Sequence, residues 1–447
     1  MAALRRLGSP RGPGTAGERL PGTGRFGPLW TASTAFLLLA SVLARAPWLA
    51  ALALLVVVVG LSSRFWAAMA LRRVNLALEL SASRVFVGDA LTLTVTLAND
   101  KPLPLGWLRA RVELPRRLLL SGARLEPSDQ QGSQVLSLLT ALGAYQRMVW
   151  RYRLDCPRRG HYLFRGALLE SGDLFGFERR VRRLPGELRL VVVPAVRALA
   201  ALGFPAGDPF GSLVADRVLN RDLLRPIGLR AYQPGDRLRD VHWKATARLP
   251  GALPQVRVGE PVSRPAVMLV LNINTGSHVA LGIDPELQEK VIALAAAVAG
   301  DAVARGHPIG LAANGVVPGT GRAIRLPLSQ GPATLPRLLE ALAAAGSFIL
   351  LPADRLVAME ARRLPWGACL AVVSAVVDES LRQELLRVAR AGRRVVLMSL
   401  DPAWQGELPG IRSHHVRREA LDDLTPPASA GDGDAVVDGD GLGRWAA

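Results

Sequence analysis

Asp236, Asp240 and His242 share one short stretch, RAYQPGDRLRDVHWKATAR, running from Arg230 to Arg248. Two carboxylates beside an imidazole are the groups of general acid–base work, and with a divalent ion they could serve metal-assisted hydrolysis. Asp240 and His242 are only two positions apart, so on a helix they point different ways. No second His or Cys cluster stands ready to complete a metal site, and no Ser or Cys elbow offers a nucleophile. The same stretch carries Trp243 and five Arg or Lys. Two non-enzymatic readings therefore stand beside the hydrolase. In one, the stretch is an interdomain clasp, with Trp243 buried and the aspartates paired with arginines. In the other it is a docking surface for a protein, since Trp and Arg are enriched at interface hot spots. The two are compatible, and without a complete catalytic set the chain is expected not to be an enzyme.

Local rules give the stretch an expected shape. Pro234 and Gly235 suit the central positions of a type II turn. Asp236 then caps a short helix on which Leu238, Val241, Ala245 and Leu249 share one face. Asp240 precedes Lys244 by four positions, the spacing of a helical ion pair.

The elements that must hold this stretch are legible in pattern. The chain has 447 residues, 50% hydrophobic, with mean hydropathy +0.23. That suits several domains with membrane segments. Net charge is +18, almost all of it Arg spread along the chain. The charge reads as compositional bias, and with no aromatic RNP pattern or finger spacing, nucleic acid is not an expected partner. Cys156 and Cys369 form no metal or redox motif, which fits a reducing compartment. Leu29–Ala44 and Ala46–Ser63 are uncharged runs near the minimum of about 17 residues for a membrane span. Arg residues flank both runs, and Arg45 alone lies between them. A two-span hairpin (28–63) is expected, after a basic cytoplasmic N-terminus (1–27), in the inner membrane with both termini cytoplasmic.

From residue 75 to 200 apolar residues alternate, as in Leu91–Leu97, Leu108–Leu114 and Met148–Leu154, which predicts an antiparallel β-sandwich. A connecting segment (201–262) carries the charged stretch. Residues 263–416 then read as an α/β domain of three layers. Strands are expected at Ala266–Ile273, Ile309–Ala313, Cys369–Val373 and Arg394–Leu400. Helices follow Asp284, span Thr334–Ala345 and run over Asp378–Ala391. No G-x-G-x-x-G and no Walker lysine appears, so no nucleotide cofactor is expected. The acidic tail (417–447) is expected to be disordered.

A hairpin, a sandwich and YQPGDRLRDVHWKATAR leading into an α/β domain together resemble a bacterial family known as domain of unknown function fifty-eight. Arg230, Tyr232, Pro234, Gly235, Asp236, Arg239, His242, Trp243, Lys244, Ala247 and Arg248 carry the resemblance, with a second piece between Arg158 and Phe177. It implies an α/β domain similar to a von Willebrand factor A domain and a MoxR-type AAA+ ATPase as partner. It supplies no reaction. A metal-binding A domain ends its first strand in D-x-S-x-S. Here those positions are Asn272, Ile273, Asn274, Thr275 and Gly276, so carboxylate and hydroxyls are replaced and the metal site is expected to be degenerate. The expected function is a membrane-anchored scaffold or adaptor assisting assembly of an envelope complex.

Overall fold

The computed structural model describes residues 19–20, 28–43, 47–128, 132–204, 209–210, 221–234, 236, 238–248, 253–261, 265–276, 283–317, 321–346, 348–365, 367–404 and 406–424. They form two compact units that divide between Val193 and Pro194, a few residues before the boundary anticipated from composition.

The first unit contains β1 (Arg19–Leu20), α1 (Pro28–Leu43), α2 (Pro47–Ala70), β2 (Val74–Leu80), β3 (Arg84–Phe86), β4 (Ala90–Asn99), β5 (Leu105–Pro115), β6 (Leu119–Ser121), β7 (Leu125–Pro127), β8 (Ser133–Leu142), β9 (Arg147–Asp155), β10 (Gly160–Gly172) and β11 (Arg179–Val193). One sheet has the order β1-β11-β10-β5-β8-β7, with β3 joined in parallel to β11; the other is β2-β4-β9-β6. The period-two pattern explains the pairing. Leu91, Leu93, Val95 and Leu97 face one side of β4, and Leu108, Ala110, Val112 and Leu114 one side of β5. Both rows enter a single buried cluster with Phe164 and Leu169.

Only α2, with 24 residues, is long and apolar enough among the described helices to cross a membrane. α1 has 16 residues, about 24 Å at 1.5 Å per residue, short of the hydrocarbon thickness. Of the two expected spans, one helix of sufficient length is found among the described residues. That helix also runs to Ala70 rather than stopping at Ser63. α1 lies close against it, since a Cβ at Gly60 would overlap the Trp30 ring.

The end of α2 is tied into the sheets. Lys101 Nζ donates to Ala70 O (2.8 Å) and to Asn99 Oδ1 (2.8 Å). The Arg182 guanidinium donates to Leu71 O (2.7 Å) and Val74 O (2.6 Å). Ala70 O and Leu71 O lie at the helix end, where carbonyls lack intrahelical partners, while Val74 O belongs to β2. Burial, and then the nearby Arg182 charge, lowers the Lys101 pKa to about 8.

The second unit contains β12 (Arg221–Ala231), α3 (Trp243–Thr246), β13 (Gln255–Pro261), β14 (Val267–Asn272), α4 (Pro285–Ala304), β15 (Ile309–Val316), β16 (Ala323–Ser329), α5 (Thr334–Ala343), α6 (Ala353–Arg363), β17 (Cys369–Ser374), α7 (Glu379–Arg390), β18 (Arg394–Ser399) and β19 (Arg412–His415). Its main sheet has the order β16-β15-β14-β17-β18-β19. All neighbours are parallel except the β15–β16 pair. Every residue of β14 and β17 is buried, as strands covered on both faces require. α6 and α7 share a cluster with Met268, Val270, Leu370 and Val372. Asp284 caps α4 through bonds from the Glu286 and Leu287 N–H groups, and Asp378 caps α7 through Leu381 N–H. The expected disorder from residue 417 is corrected as far as Leu424. Arg418–Leu424 forms a 3-10 helix whose Leu421 is fully buried. The tail beyond lies outside the described residues.

Candidate functional site

Two places carry the polar residues singled out by sequence. Both belong to the second unit, and the structure treats their polar groups differently.

The first is the carboxyl end of the main sheet. The strand order reverses direction between β14 and β17, so the ends of these two strands flank the crevice where ligands of open α/β sheets bind. Asn272 closes β14 there and is 3% exposed. Its Oδ1 accepts from Asn314 Nδ2 (2.7 Å) and from Asn274 N–H (3.1 Å). Its Nδ2 donates to Ser374 Oγ (2.9 Å), which in turn donates to Val376 O (2.6 Å). Asn314 Oδ1 accepts from Ile273 N–H (2.8 Å). The carboxamide thus ties together the ends of β14, β15 and β17. Thr275 Oγ1 accepts from Asp284 N–H (2.7 Å), and Asn274 Oδ1 from Gly276 N–H (3.3 Å). At three of the five positions from 272 to 276, Asn272, Asn274 and Thr275, the side chain already holds the loop. The donor set is amide and hydroxyl, with no carboxylate among the five, which does not suit Mg²⁺. Asn314 and Ser374 were not anticipated from sequence. The available signal was a polar residue at or near the end of an apolar strand: Ser374 closes β17, and Asn314 lies two residues before the end of β15.

The second place is the Arg230–Arg248 stretch. β12 and β13 pair antiparallel, with Arg230 opposite Val256 and Ala231 opposite Gln255. The chain leaves β12 through a turn in which Asp236 N–H donates to Gln233 O (3.0 Å). Pro234 lies exposed in that turn; Gly235 falls outside the described residues. Asp236 anchors the turn. Its Oδ2 accepts from Gln233 N–H (2.9 Å), and both of its oxygens accept from Arg230, at 2.7 and 2.6 Å. That fork-to-fork pair is the strongest geometry open to the two side chains, and it raises the Arg230 pKa. Tyr232 N–H donates to Pro254 O (2.7 Å), closing the base of the loop.

The single helix expected after Asp236 does not form. Leu238–Asp240 is a 3-10 turn, Val241 leaves it to bridge Val256, and α3 starts at Trp243. Val241 is buried and β-branched, and its place in the bridge outweighs a continuous helix. Asp240 and Lys244 therefore lie in different helical turns, so the i,i+4 pair implied by their spacing is interrupted. Leu238, expected on a shared apolar face, is exposed, and Leu249 falls outside the described residues.

His242 caps α3. Its Nδ1 accepts from Ala245 N–H (3.0 Å), which places the proton of the neutral ring on Nε2. His242 N–H donates to Gln255 O (2.7 Å), and Thr246 Oγ1 accepts from Gln255 N–H (2.9 Å). The carboxylate of Asp236 is thus committed to Arg230 and to the Gln233 N–H, and the Nδ1 of His242 to the Ala245 N–H. No group of three or more His, Cys, Asp or Glu placed to hold a metal occurs among the described residues. Trp243, which a clasp would bury, is 63% exposed, with Lys244 and Arg248 exposed beside it in sequence. The Arg239 side chain falls outside the described set.

Comparison with known proteins reaches the same region. A family described as "Protein of unknown function DUF58" matches residues 228–419. The uncharacterized protein YeaD of Bacillus subtilis (strain 168) is 24% identical over 179 residues, which is 40% of this chain and 43% of that protein. The chain therefore matches less than half the length of that relative. Among solved structures, a cohesin module from a Clostridium perfringens ATCC13124 family 33 glycoside hydrolase is 12% identical, covering 27% of this chain and 96% of its own, at TM-score 0.21. A family 20 exo-β-N-acetylglucosaminidase from Vibrio harveyi is 10% identical over 78% of this chain and 79% of its own, at TM-score 0.22. At such scores these likenesses carry no inference about fold or activity.

Proposed function

We propose that this chain is a membrane-anchored scaffold or adaptor whose Arg230–Arg248 stretch docks a protein partner. One observation carries the reading. Trp243 stands exposed on a framework whose own polar groups are engaged by Arg230–Asp236 and the His242 cap. A rigidly mounted aromatic beside exposed cations is the composition of an interface hot spot, with little ordering entropy left to lose on binding. The same engagements weigh against a hydrolase built on Asp236, Asp240 and His242, because the Asp236 carboxylate is held by Arg230 and Gln233 N–H and the Nδ1 of His242 is held by the Ala245 N–H.

The proposed partner is a MoxR-type AAA+ ATPase, the class the sequence resemblance implies, acting with this chain in assembly or maturation of an envelope complex. The second unit is proposed to be a three-layer, von Willebrand factor A-like domain. In support, numbering its sheet strands in chain order gives 3-2-1-4-5-6, and the Asn272 cluster sits where a metal-binding relative would hold its ion. The anchor is proposed to be the α1–α2 hairpin in the inner membrane, with both chain ends on the cytoplasmic side. The pairing of Leu20 with Val181, beside the Arg182 that holds the end of α2, supports entry and exit on one side.

The test is extraction from native membranes in mild detergent, with and without ATP. Nucleotide-dependent recovery of an AAA+ ATPase, lost in a folded Trp243→Ala variant, is the expected result. If the ATPase is absent, or its recovery is unchanged by Trp243→Ala, the docking proposal fails.

A further inference from the structure

Register places several loops of the first unit at the end where α2 enters. Val74, just after α2, pairs with Asn99, and Asn99 N–H donates to Gln146 O. Leu105 pairs with Leu142, Leu108 with Ser171, and Gly172 with Arg179. The turn around Tyr145 and the tip joining β10 to β11 therefore lie at the same end of the sheets as the α2 terminus. The opposite end holds the β6–β9 pairing at Leu119 and Asp155.

The tip is apolar and exposed. Phe175 is 61% and Leu174 56% accessible, and Tyr145 is exposed on a backbone with φ +55°. It is also stiff. Asp173 N–H donates to Glu178 O (3.2 Å), and Glu178 N–H donates to Asp173 Oδ1 (2.9 Å). Trp107 Nε1–H donates to Asp173 O (3.2 Å), and Ser171 Oγ donates to Trp107 O (2.6 Å). The Phe175 and Phe177 rings stack at 5.9 Å. Holding large apolar side chains in water on a rigid base is unfavourable unless something covers them. Arg73, Arg147 and Arg180 are exposed at the same end, from three different strands or strand entrances.

We infer that this end of the β-domain is a lipid-contacting surface: Leu174, Phe175 and Tyr145 seat in the headgroup–acyl boundary while Arg73, Arg147 and Arg180 meet anionic headgroups. The inference rests on the reading of α2 as a membrane span. Continuity with α2 selects lipid over a protein, because its last turn is bolted to this end of the sheets by Lys101 and Arg182, which holds the end facing the bilayer. Aromatic and aliphatic side chains ringed by Arg are the composition that lies at such an interface. Two attachments, a span and a seated tip, fix the orientation of the unit on the membrane, which a lone helix leaves free to swivel.

The experiment uses the full chain in vesicles of phosphatidylethanolamine and phosphatidylglycerol carrying spin-labelled lipid. Bimane is attached in turn to Phe175→Cys, Leu54→Cys in α2, and Leu119→Cys at the far end. The native Cys156 and Cys369 are buried and do not compete for label. Fluorescence is expected to be lost at positions 54 and 175 and kept at 119. Loss at 54 with retention at 175 overturns the lipid-contacting surface and leaves the span standing. Retention at both 54 and 175 overturns the span reading and this inference together.

Discussion

The Asn272 cluster and the Arg230–Asp236 turn are both networks of polar side chains, in the same unit, where sequence pointed to chemistry. They differ in what surrounds them. Asn272, Asn314 and Ser374 are buried at strand ends and spend their hydrogen bonds on one another and on nearby backbone. Arg230 and Asp236 are only partly covered and brace a turn that leaves Trp243 in solvent. A buried network that lost one bond would strand the remaining groups in a low dielectric, so its role is cohesion. A half-exposed network can be remade with water, so it is free to serve presentation. The contrast orders the expected effects of mutation.

The largest effect should come from Asn272→Asp. The carboxylate still accepts from Asn314 and Asn274 but cannot donate to Ser374, and it places a charge at a buried position. A cost of about 3 kcal/mol follows from an unmade bond together with charge burial. Burial raises the folded pKa of the new carboxyl above its unfolded value of about 3.9. The unfolded chain then releases its proton first, so the deficit is absent at acid pH, appears as pH rises past the unfolded value, and is complete above the folded pKa. The melting-temperature gap between variant and parent should widen from pH 4 to pH 8, and added Mg²⁺ should not close it. A gap that Mg²⁺ closes would mean the site is one residue short of a metal centre, and the cohesive reading would be wrong.

Asp236→Ala should cost less, about 1–2 kcal/mol, because the pair it breaks is partly solvated. Its signature is local: faster proteolysis between Tyr232 and Arg248 with little change in the melting of the main sheet. Asp236→Asn, which keeps an acceptor for Gln233 N–H, should fall between. Equal loss of the whole unit in both variants would make the turn a part of the core, not a mount.

How much of this was legible follows from the range of each interaction. Local signals were read correctly: the alternation that makes β4 and β5, the Asp284 cap, and the apolar runs that make β14 and β17. α6 was missed although Leu356, Val357, Ala361 and Leu364 follow helical spacing. Charged residues make up almost half of it, and it opens after Pro352 with no capping side chain. The edge strands β16 and β19 were missed because their residues are mixed and partly exposed, leaving little pattern. The Asn272 partners lie 42 and 102 residues away, beyond any single-sequence rule except the expectation of polar groups at parallel strand ends. Within the motif, the break at Val241 came from pairing with Val256, a contact across a hairpin that helical periodicity does not register.

The smallest stability effects sharpen the comparison most. His242→Ala should cost about 1 kcal/mol by removing the cap, with His242→Asn restoring most of it, since Asn also accepts from the first turn. Hydrogen exchange at the Ala245 amide reads this directly, and equal exchange in the two variants would mean that the ring does not cap. Trp243→Ala should change stability by less than about 0.5 kcal/mol, because the ring already stands in solvent and its removal opens no cavity. If the exposed indole presents itself to a partner, the same substitution should abolish recovery of that partner from native membranes. Stability and binding would then separate completely at one residue, which neither the Asn272 cluster nor the Asp236 turn can do. A Trp243→Ala variant that melts early would place the indole in a packed environment, and the distinction between a cohesive and a presenting network would fail at the residue meant to carry it.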